Sequence, residues 1–254
     1  AEDDQINFGL TADQTKITTY VDSPRLYQDF CKDFGCSGPQ AGVGIGEVSV
    51  SSLLLTVGWS RDSRDSFIYP RKGVYQRVYG EVTVPAGDLR YGKLGYQYQH
   101  WFPIGRDYAL MLNADLGYAK GFGGKEVPFY KNYYVGGIGS VRGFDQGTLG
   151  PKFTDTDGDI TSTGGTRKLV TNAEFFFPMP GAGKDRSFRI SAFFDAGYVW
   201  GEEQVPLDAK TGSFVEQDVR FGDLRYSTGL AFSWSSPIGP LKFSFGHPLK
   251  KEEN

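Results

Sequence analysis

The sequence has very few of the residues that most catalytic sites require. Its 254 residues include only 2 His, 2 Cys and 2 Met. His100 and His247 lie in strand-like stretches, and neither has a candidate nucleophile beside it in the sequence, so we interpret both as ordinary strand histidines. The glycines at 136, 137 and 139 complete no dinucleotide-binding or P-loop fingerprint. We therefore expect no catalytic residues, no cofactor and a protein that is not an enzyme.

Cysteine and histidine ligands for a metal ion are also scarce. Cys31 and Cys36 match no zinc pattern, since a zinc site needs about four ligands. A disulfide between them in an oxidising compartment is favoured over two free thiols. The segment 155–159 has aspartates at alternate positions but lacks the downstream glutamate of a calcium loop, and an Asp-Gly turn explains it better. The sequence therefore predicts no metal site.

Long apolar runs and a strong net charge are absent too. No run of about 18 apolar residues occurs, which excludes a transmembrane helix. The formal net charge of −3 neither favours nor opposes a nucleic-acid surface, and no nucleic-acid partner is predicted. The mean hydropathy of −0.37 is typical of soluble proteins, but a transmembrane β-barrel has a similar value because half of each strand faces a wet lumen.

Glycine and aromatic residues, by contrast, are abundant. The chain has 35 Gly, 20 Phe and 15 Tyr, which favours strands joined by tight turns. In residues 188–200 apolar side chains occupy one face, and the other face is largely polar or small. This alternation recurs and predicts about nine strands, near residues 5–20, 50–62, 72–85, 89–103, 108–118, 168–177, 188–200, 224–234 and 241–247.

The connections between these strands differ in length at the two ends. Short turns near 103–105, 178–184 and 236–240 alternate with longer polar connections near 21–48, 119–166 and 202–222. Several strands exceed about ten residues, enough to span a bilayer when tilted. The sequence therefore predicts an all-β, antiparallel transmembrane β-barrel in a single domain, residues 1–254. A soluble β-sandwich also alternates and remains the alternative.

The first long connection contains a predicted helix. Residues 24–30 begin with a proline that suits the first turn, and Ser23 or Asp22 could cap the helix.

A glycine-rich loop carries the most informative motif. Residues 121–152 include Val141-Arg142-Gly143-Phe144, behind a run of glycines and aromatics. Glycine reaches backbone conformations closed to other residues, so such a loop can lie close against other backbone. The arginine adds a planar, permanently charged fork of hydrogen-bond donors. We expect the loop to fold into a polar cavity.

Three residues on neighbouring strands are candidate partners of Arg142. By alternation, Glu174, Phe193 and Asp195 all face the polar side of their strands. The two acids could bind a guanidinium, and the ring could add a cation–π contact. The alternation is equally compatible with acids that line a channel and contact only water.

The loop motif closely resembles the loop of the BamA family of outer-membrane assembly factors. The similarity covers most of the chain and continues through Asn172-Ala173-Glu174-Phe175, Phe193-Phe194-Asp195-Ala196-Gly197, residues 235–241, Phe243-Ser244-Phe245 and Pro248-Leu249-Lys250-Lys251. The resemblance implies a 16-stranded barrel whose sixth extracellular loop folds into the lumen. It also implies that Arg142 engages Glu174, Phe193 and Asp195 there.

The resemblance implies a function as well. It indicates a core subunit of the barrel assembly machinery, which inserts and folds β-barrel proteins in the bacterial outer membrane. Nascent outer-membrane proteins, accessory assembly lipoproteins and outer-membrane lipid would be its partners. The alternatives are a secretion or translocation barrel of the same superfamily and a soluble β-sandwich binding module.

The chain departs from the family pattern at its ends. The family has periplasmic POTRA domains, early barrel strands and a last strand that this sequence does not contain, so we expect a carboxy-terminal portion of the barrel. Residues 1–4 are acidic where a signal peptide is basic, which indicates a removed signal or a fragment. A sheet with two open edges is costly in lipid, so we expect it to pair with other strands or with another copy.

Overall fold

The computed structural model describes residues 4–154, 160–181, 187–205, 213–236 and 239–250. The segment 155–159, for which a turn is predicted, lies outside these ranges. The strands are β1 (Asp4–Thr19), β2 (Ser37–Gln40), β3 (Ile45–Asp62), β4 (Gly73–Val84), β5 (Tyr91–Ile104), β6 (Tyr108–Gly121), β7 (Lys152–Thr154), β8 (Ile160–Ser162), β9 (Arg167–Pro178), β10 (Phe188–Trp200), β11 (Glu202–Val205), β12 (Ser213–Glu216), β13 (Arg225–Ser236) and β14 (Gly239–Pro248). The helix α1 spans Arg25–Asp33, and short 3₁₀ turns span Ala41–Val43, Phe129–Lys131 and Phe221–Asp223.

Nine long strands form one antiparallel sheet. Their order is β1-β3-β4-β5-β6-β9-β10-β13-β14, with β2 added beside the start of β3. Each strand therefore pairs with the next long strand along the chain, as in an up-and-down barrel. Within the described residues β1 pairs only with β3 and β14 only with β13, so the sheet is open at both edges. The predicted antiparallel fold of about nine long strands is confirmed.

Burial along the strands is inverted relative to a soluble protein. Apolar side chains such as Leu230 and Phe245 are 55% and 77% exposed, whereas Ser191 and Asp195 are 1% and 0% exposed. A soluble β-sandwich would bury its apolar faces between two sheets. A barrel in lipid presents them outward and keeps polar groups inside. The exposure pattern therefore excludes the soluble sandwich.

The described residues of the connection between β6 and β9, 122–154 and 160–166, cover the inner face of the sheet. The largest buried apolar cluster lies where this connection meets the wall, and its members are Ala119, Tyr133, Val135, Val141, Leu149, Val170, Tyr198, Val199 and Trp200. The connection is tied to itself by antiparallel bridges between Tyr133 and Gly165 and between Val135 and Leu149. We call residues 122–166 the lumen loop.

Among the described residues, no helix is both long enough and apolar enough to cross a membrane.

The predicted helix is present, but its predicted cap is wrong. Pro24 occupies the N-cap position, and no side chain caps the helix. The Ser23 hydroxyl instead accepts a hydrogen bond from the Tyr20 N–H at 2.9 Å, which orders the turn before the helix. Cys31 and Cys36 are joined by a disulfide, with Cα atoms 5.0 Å apart. Cys31 is fully buried against Val48, Val50, Leu54, Leu89 and Tyr91, so the disulfide anchors the end of α1 to the sheet.

The strand β3 begins five residues earlier than its predicted start at residue 50. Gly44 adopts a left-handed conformation and ends a 3₁₀ turn, but Gly46 is already paired with Thr19. Both glycines fall within the connection that the sequence predicts near residues 21–48, so that prediction is wrong at Gly46. An added Cβ at Gly46 would lie 2.2 Å from the Ser37 carbonyl oxygen, so this glycine permits the close approach of β2.

An aromatic contact joins α1 to the lumen loop. The Phe129 ring stacks on Tyr27 with centroids 3.8 Å apart and meets Phe30 edge-on at 5.6 Å. Phe30 also meets the Tyr130 ring edge-on at 5.9 Å. The helix therefore holds the lumen loop where the loop leaves the end of β6.

Replacing Phe129 with alanine is expected to loosen this end of the lumen loop. Loss of the half-buried ring and its stacking should cost about 2 kcal/mol locally. Limited proteolysis of the folded protein should then cleave near residues 122–131 faster than in the wild type. The matched control is Phe122→Ala, which removes an exposed ring of the same loop and should leave the cleavage rate unchanged. Equal rates for Phe129→Ala and the wild type would contradict the assigned role of α1.

Candidate functional site

The tip of the lumen loop is a compact turn built on glycine. Gly136 and Gly137 have φ angles of 121° and 87°, which side-chain-bearing residues rarely adopt. The Gly136 N–H donates to the Ser140 hydroxyl at 2.8 Å, and the Gly137 N–H donates to the Val141 carbonyl at 3.1 Å. These bonds close the turn and direct the next residue, Arg142, toward the barrel wall.

The Arg142 guanidinium is bound to Asp195 of β10 by two parallel hydrogen bonds. Its Nε lies 2.7 Å from Oδ2 and its Nη2 lies 2.8 Å from Oδ1. The Arg142 backbone N–H also donates to Oδ2, at 3.1 Å. This fork-to-carboxylate geometry fixes both the position and the orientation of the side chain.

Glu174 of β9, the strand next to β10, also binds the Arg142 guanidinium. Arg142 Nη1 donates to Glu174 Oε2 at 3.0 Å, and the Ser191 hydroxyl donates to Glu174 Oε1. The side chains of Arg142 and Glu174 are only 6% and 2% exposed. A charge removed from water to this degree is stable only when it is paired and hydrogen-bonded, as it is here.

Phe193 and Asn172 support the same arginine from two other directions. The Arg142 Cζ atom lies 3.6 Å from the centroid of the Phe193 ring, a close cation–π contact. Asn172 Nδ2 donates to Asp195 Oδ1 and to the Ser140 carbonyl, both at 2.8 Å. Asn172 therefore links the acid that binds Arg142 to the turn that presents Arg142.

These contacts keep Arg142 charged inside the barrel. Burial acts to lower the pKa of Arg142, but its hydrogen bonds and charge interactions with Asp195 and Glu174 outweigh burial and raise that pKa. The site therefore holds a permanent cation between two strands. A fixed arrangement of this kind is suited to mechanical bracing.

The other residues of the motif pack the loop against the wall. Val141 is fully buried beside Val170, and Phe144 packs on the same apolar cluster. Gly143 has a φ of 87° and lies against the backbone of β14, where an added Cβ would be 3.0 Å from the Gly246 carbonyl carbon. The motif thus contributes a charge, two apolar contacts and one close backbone approach.

The structure brings all four sequence-predicted residues of the constellation together. Arg142 contacts Glu174, Phe193 and Asp195 directly, and the alternative of acids that face only water does not apply. Sequence reasoning missed Ser191, Lys242 and Gly246, each of which contacts this cluster or its loop. Strand alternation places all three on the inner face, but alternation does not tell which inner-face residues the loop reaches.

The whole chain matches a known family model. The model of the Omp85 superfamily domain aligns with residues 1–254. The chain belongs to the Omp85 superfamily. This Omp85 chain is 40% identical over 263 aligned positions to the outer membrane protein assembly factor BamA of Neisseria meningitidis serogroup B, covering 99% of this chain and 32% of that protein.

Two further comparisons extend the similarity of this Omp85 chain. It is 27% identical over 223 positions to a SAM50-like protein of Schizosaccharomyces pombe, covering 85% of this chain and 44% of that protein. The crystal structure of BamA from Haemophilus ducreyi lacking POTRA domains 1–3 superposes with a TM-score of 0.83 at 27% identity, covering 99% of this chain and 49% of that one. The Omp85 chain thus spans about a third to a half of the length of these relatives.

The family and the inverted burial agree on location. Apolar side chains face outward along the long strands, and the superposed structure is that of BamA. The resemblance to the BamA family is confirmed, and this Omp85 chain is a bacterial outer-membrane protein.

Proposed function

We propose that this chain forms the carboxy-terminal part of a barrel that inserts and folds β-barrel proteins in the outer membrane. Its nine long strands would be joined by further strands of a 16-stranded barrel, with POTRA domains on the periplasmic side. The alignment with 32% of N. meningitidis BamA and 49% of the H. ducreyi chain supports a chain that forms one part of a longer protein. The partners would be nascent outer-membrane proteins, accessory assembly lipoproteins and the surrounding lipid.

The open edges of the sheet support pairing beyond the described strands. Ile6 and Phe8 on β1 and Phe245 on β14 are largely exposed at the two outermost strands. Backbone donors and acceptors at a sheet edge in lipid are costly unless another strand pairs with them. Pairing with additional strands of the same barrel meets this need, and pairing with a second copy is the alternative.

The mechanism requires no covalent chemistry. An assembly barrel would offer a strand edge as a template for an incoming strand and would thin the bilayer beside it. The lumen loop would hold the wall in shape while the edge exchanges partners. The single observation that carries this role is the Arg142 guanidinium bound at once to Asp195 of β10 and to Glu174 of β9.

Reconstitution tests the proposed function. The full-length protein that carries this chain would be placed in liposomes and supplied with an unfolded client barrel, and the client's heat-modifiability on a gel would report its folding. We expect the client to fold faster than in empty liposomes. A client that crosses into the liposome interior without folding in the bilayer would support the translocation barrel instead. A client that folds at the rate found in empty liposomes would contradict both functions.

A further inference from the structure

The cluster around Arg142 contains more acid than base. Arg142 supplies one positive charge, whereas Glu174 and Asp195 supply two negative charges. All three side chains are almost fully buried, so solvent screens the surplus charge poorly. A further cation is needed for the cluster to be neutral.

Lys242 on β14 supplies that cation. Its Nζ lies 3.0 Å from Glu174 Oε1 and 3.2 Å from Oε2. Arg189, another cation near this site, donates to the Pro70 carbonyl oxygen at 3.2 Å and interacts with Glu174 only through longer-range electrostatics. Lys242 is 42% exposed and borders a cavity of about 290 Å³, so its ammonium has room to turn away from Glu174. The contact of its ammonium with both Glu174 oxygens therefore reflects electrostatic attraction, since the surrounding side chains leave room for other orientations.

The contact is notable because Lys242 lies on the outermost described strand. Glu174 belongs to β9, and the strands β10 and β13 lie between β9 and β14. The Lys242–Glu174 pair therefore spans three strand-to-strand steps across the inner face. The lumen loop contacts the same strand at Gly246. A Cβ added to Gly246 would lie only 2.7 Å from the Gly143 backbone nitrogen, so the two backbones are in close contact.

We propose that Lys242 is a positioning residue that neutralises the Arg142–Glu174–Asp195 cluster and thereby couples the outermost strand β14 to the seated lumen loop. The ion pairs of the cluster then contribute to how stably β14 remains paired with β13. This role does not depend on the assembly activity, because it concerns the stability of the barrel itself. It makes Lys242 the electrostatic link between the loop and the sheet edge.

Amide hydrogen exchange of the folded full-length protein in detergent tests this coupling. Lys242→Met keeps most of the side chain's length and removes its charge, and β14 amides should exchange about tenfold faster, as expected when a hydrogen bond to a charged group is lost. Lys242→Arg restores the charge and should keep exchange near the wild-type rate. The matched control is Lys168→Met, which removes a different inner-face ion pair, with Asp115, and should leave β14 unchanged.

A second substitution tests whether Lys242 acts through Glu174. Glu174→Gln removes the carboxylate that Lys242 contacts, so adding Lys242→Met to Glu174→Gln should change β14 exchange little. Equal β14 exchange in Glu174→Gln and in the double variant supports the proposal, including the case in which Lys242→Met alone does not fold. Unchanged exchange in folded Lys242→Met would overturn it. A tenfold effect of Lys242→Met in the Glu174→Gln background would also overturn it, because the lysine would then act independently of Glu174.

Discussion

Replacing Arg142 with alanine is expected to release the lumen loop from the barrel wall. The substitution leaves the Glu174 and Asp195 carboxylates buried without their shared cation. Breaking a buried ion pair by removing one partner typically costs about 3–5 kcal/mol. We expect residues 122–166 to become sensitive to added protease in folded, detergent-solubilised protein. We also expect the full-length variant to lose most of its client-folding activity in liposomes.

Arg142→Lys provides the graded control for this prediction. A lysine keeps the charge, but its ammonium cannot form the two parallel bonds to Asp195 while also donating to Glu174. Its protease sensitivity should fall between those of the wild type and the alanine variant. If the alanine variant were as resistant to protease as the wild type, other contacts would hold the loop, and the proposed role of Arg142 in fixing the loop to the wall would be refuted.

A single methyl group at Gly143 is expected to have the second largest effect. Gly143 has a φ of 87°, and an added Cβ would lie 3.0 Å from the Gly246 carbonyl carbon and 3.3 Å from the His247 nitrogen. The left-handed backbone alone costs a non-glycine residue about 1–2 kcal/mol, and the tight contact with β14 adds to it. Gly143→Ala should therefore lower the temperature at which the folded band is lost in a heat-modifiability gel by several degrees.

Gly139 provides a control within the same turn. It is exposed, and an added Cβ there would have nothing within 4 Å. Gly139→Ala should therefore leave the transition temperature unchanged. Equal transition temperatures for the two variants would show that the approach of Gly143 to β14 contributes nothing to stability.

The long strands could be predicted because lipid and lumen impose opposite demands on alternate residues. The strand β10, predicted and observed at residues 188–200, has one apolar face and one face that is largely polar or small. The start of β3 is harder to predict from the sequence, because both Gly44 and Gly46 are residues typical of turns. Only the pairing of Gly46 with Thr19 shows that Gly46 belongs to the strand. Glycine that permits close approach and glycine that ends an element have the same sequence signal.

The candidate site was predictable in its chemistry but incomplete in its membership. Alternation placed Glu174, Phe193 and Asp195 on one face, and the family resemblance connected them to Arg142. Lys242 could not be assigned in this way, because its contact with Glu174 depends on the side chain's reach across β10 and β13. Strand periodicity fixes the face of a residue, whereas the partner of a long side chain depends on the curvature of the sheet and on the path of the loop.

The most direct test of this account is whether the barrel works with its lumen loop locked in place. The Cγ2 atoms of Val141 and Val170 lie 2.8 Å and 3.2 Å from the position that a Cβ on Gly197 would occupy, so the two side chains are close neighbours. We would oxidise Val141→Cys/Val170→Cys in the full-length protein and measure client folding in liposomes before and after reduction. We expect the cross-linked fraction, identified by its shifted mobility on a non-reducing gel, to have equal rates before and after reduction, since the seated loop is the working state. Activity that returns only after reduction would contradict this role of the loop.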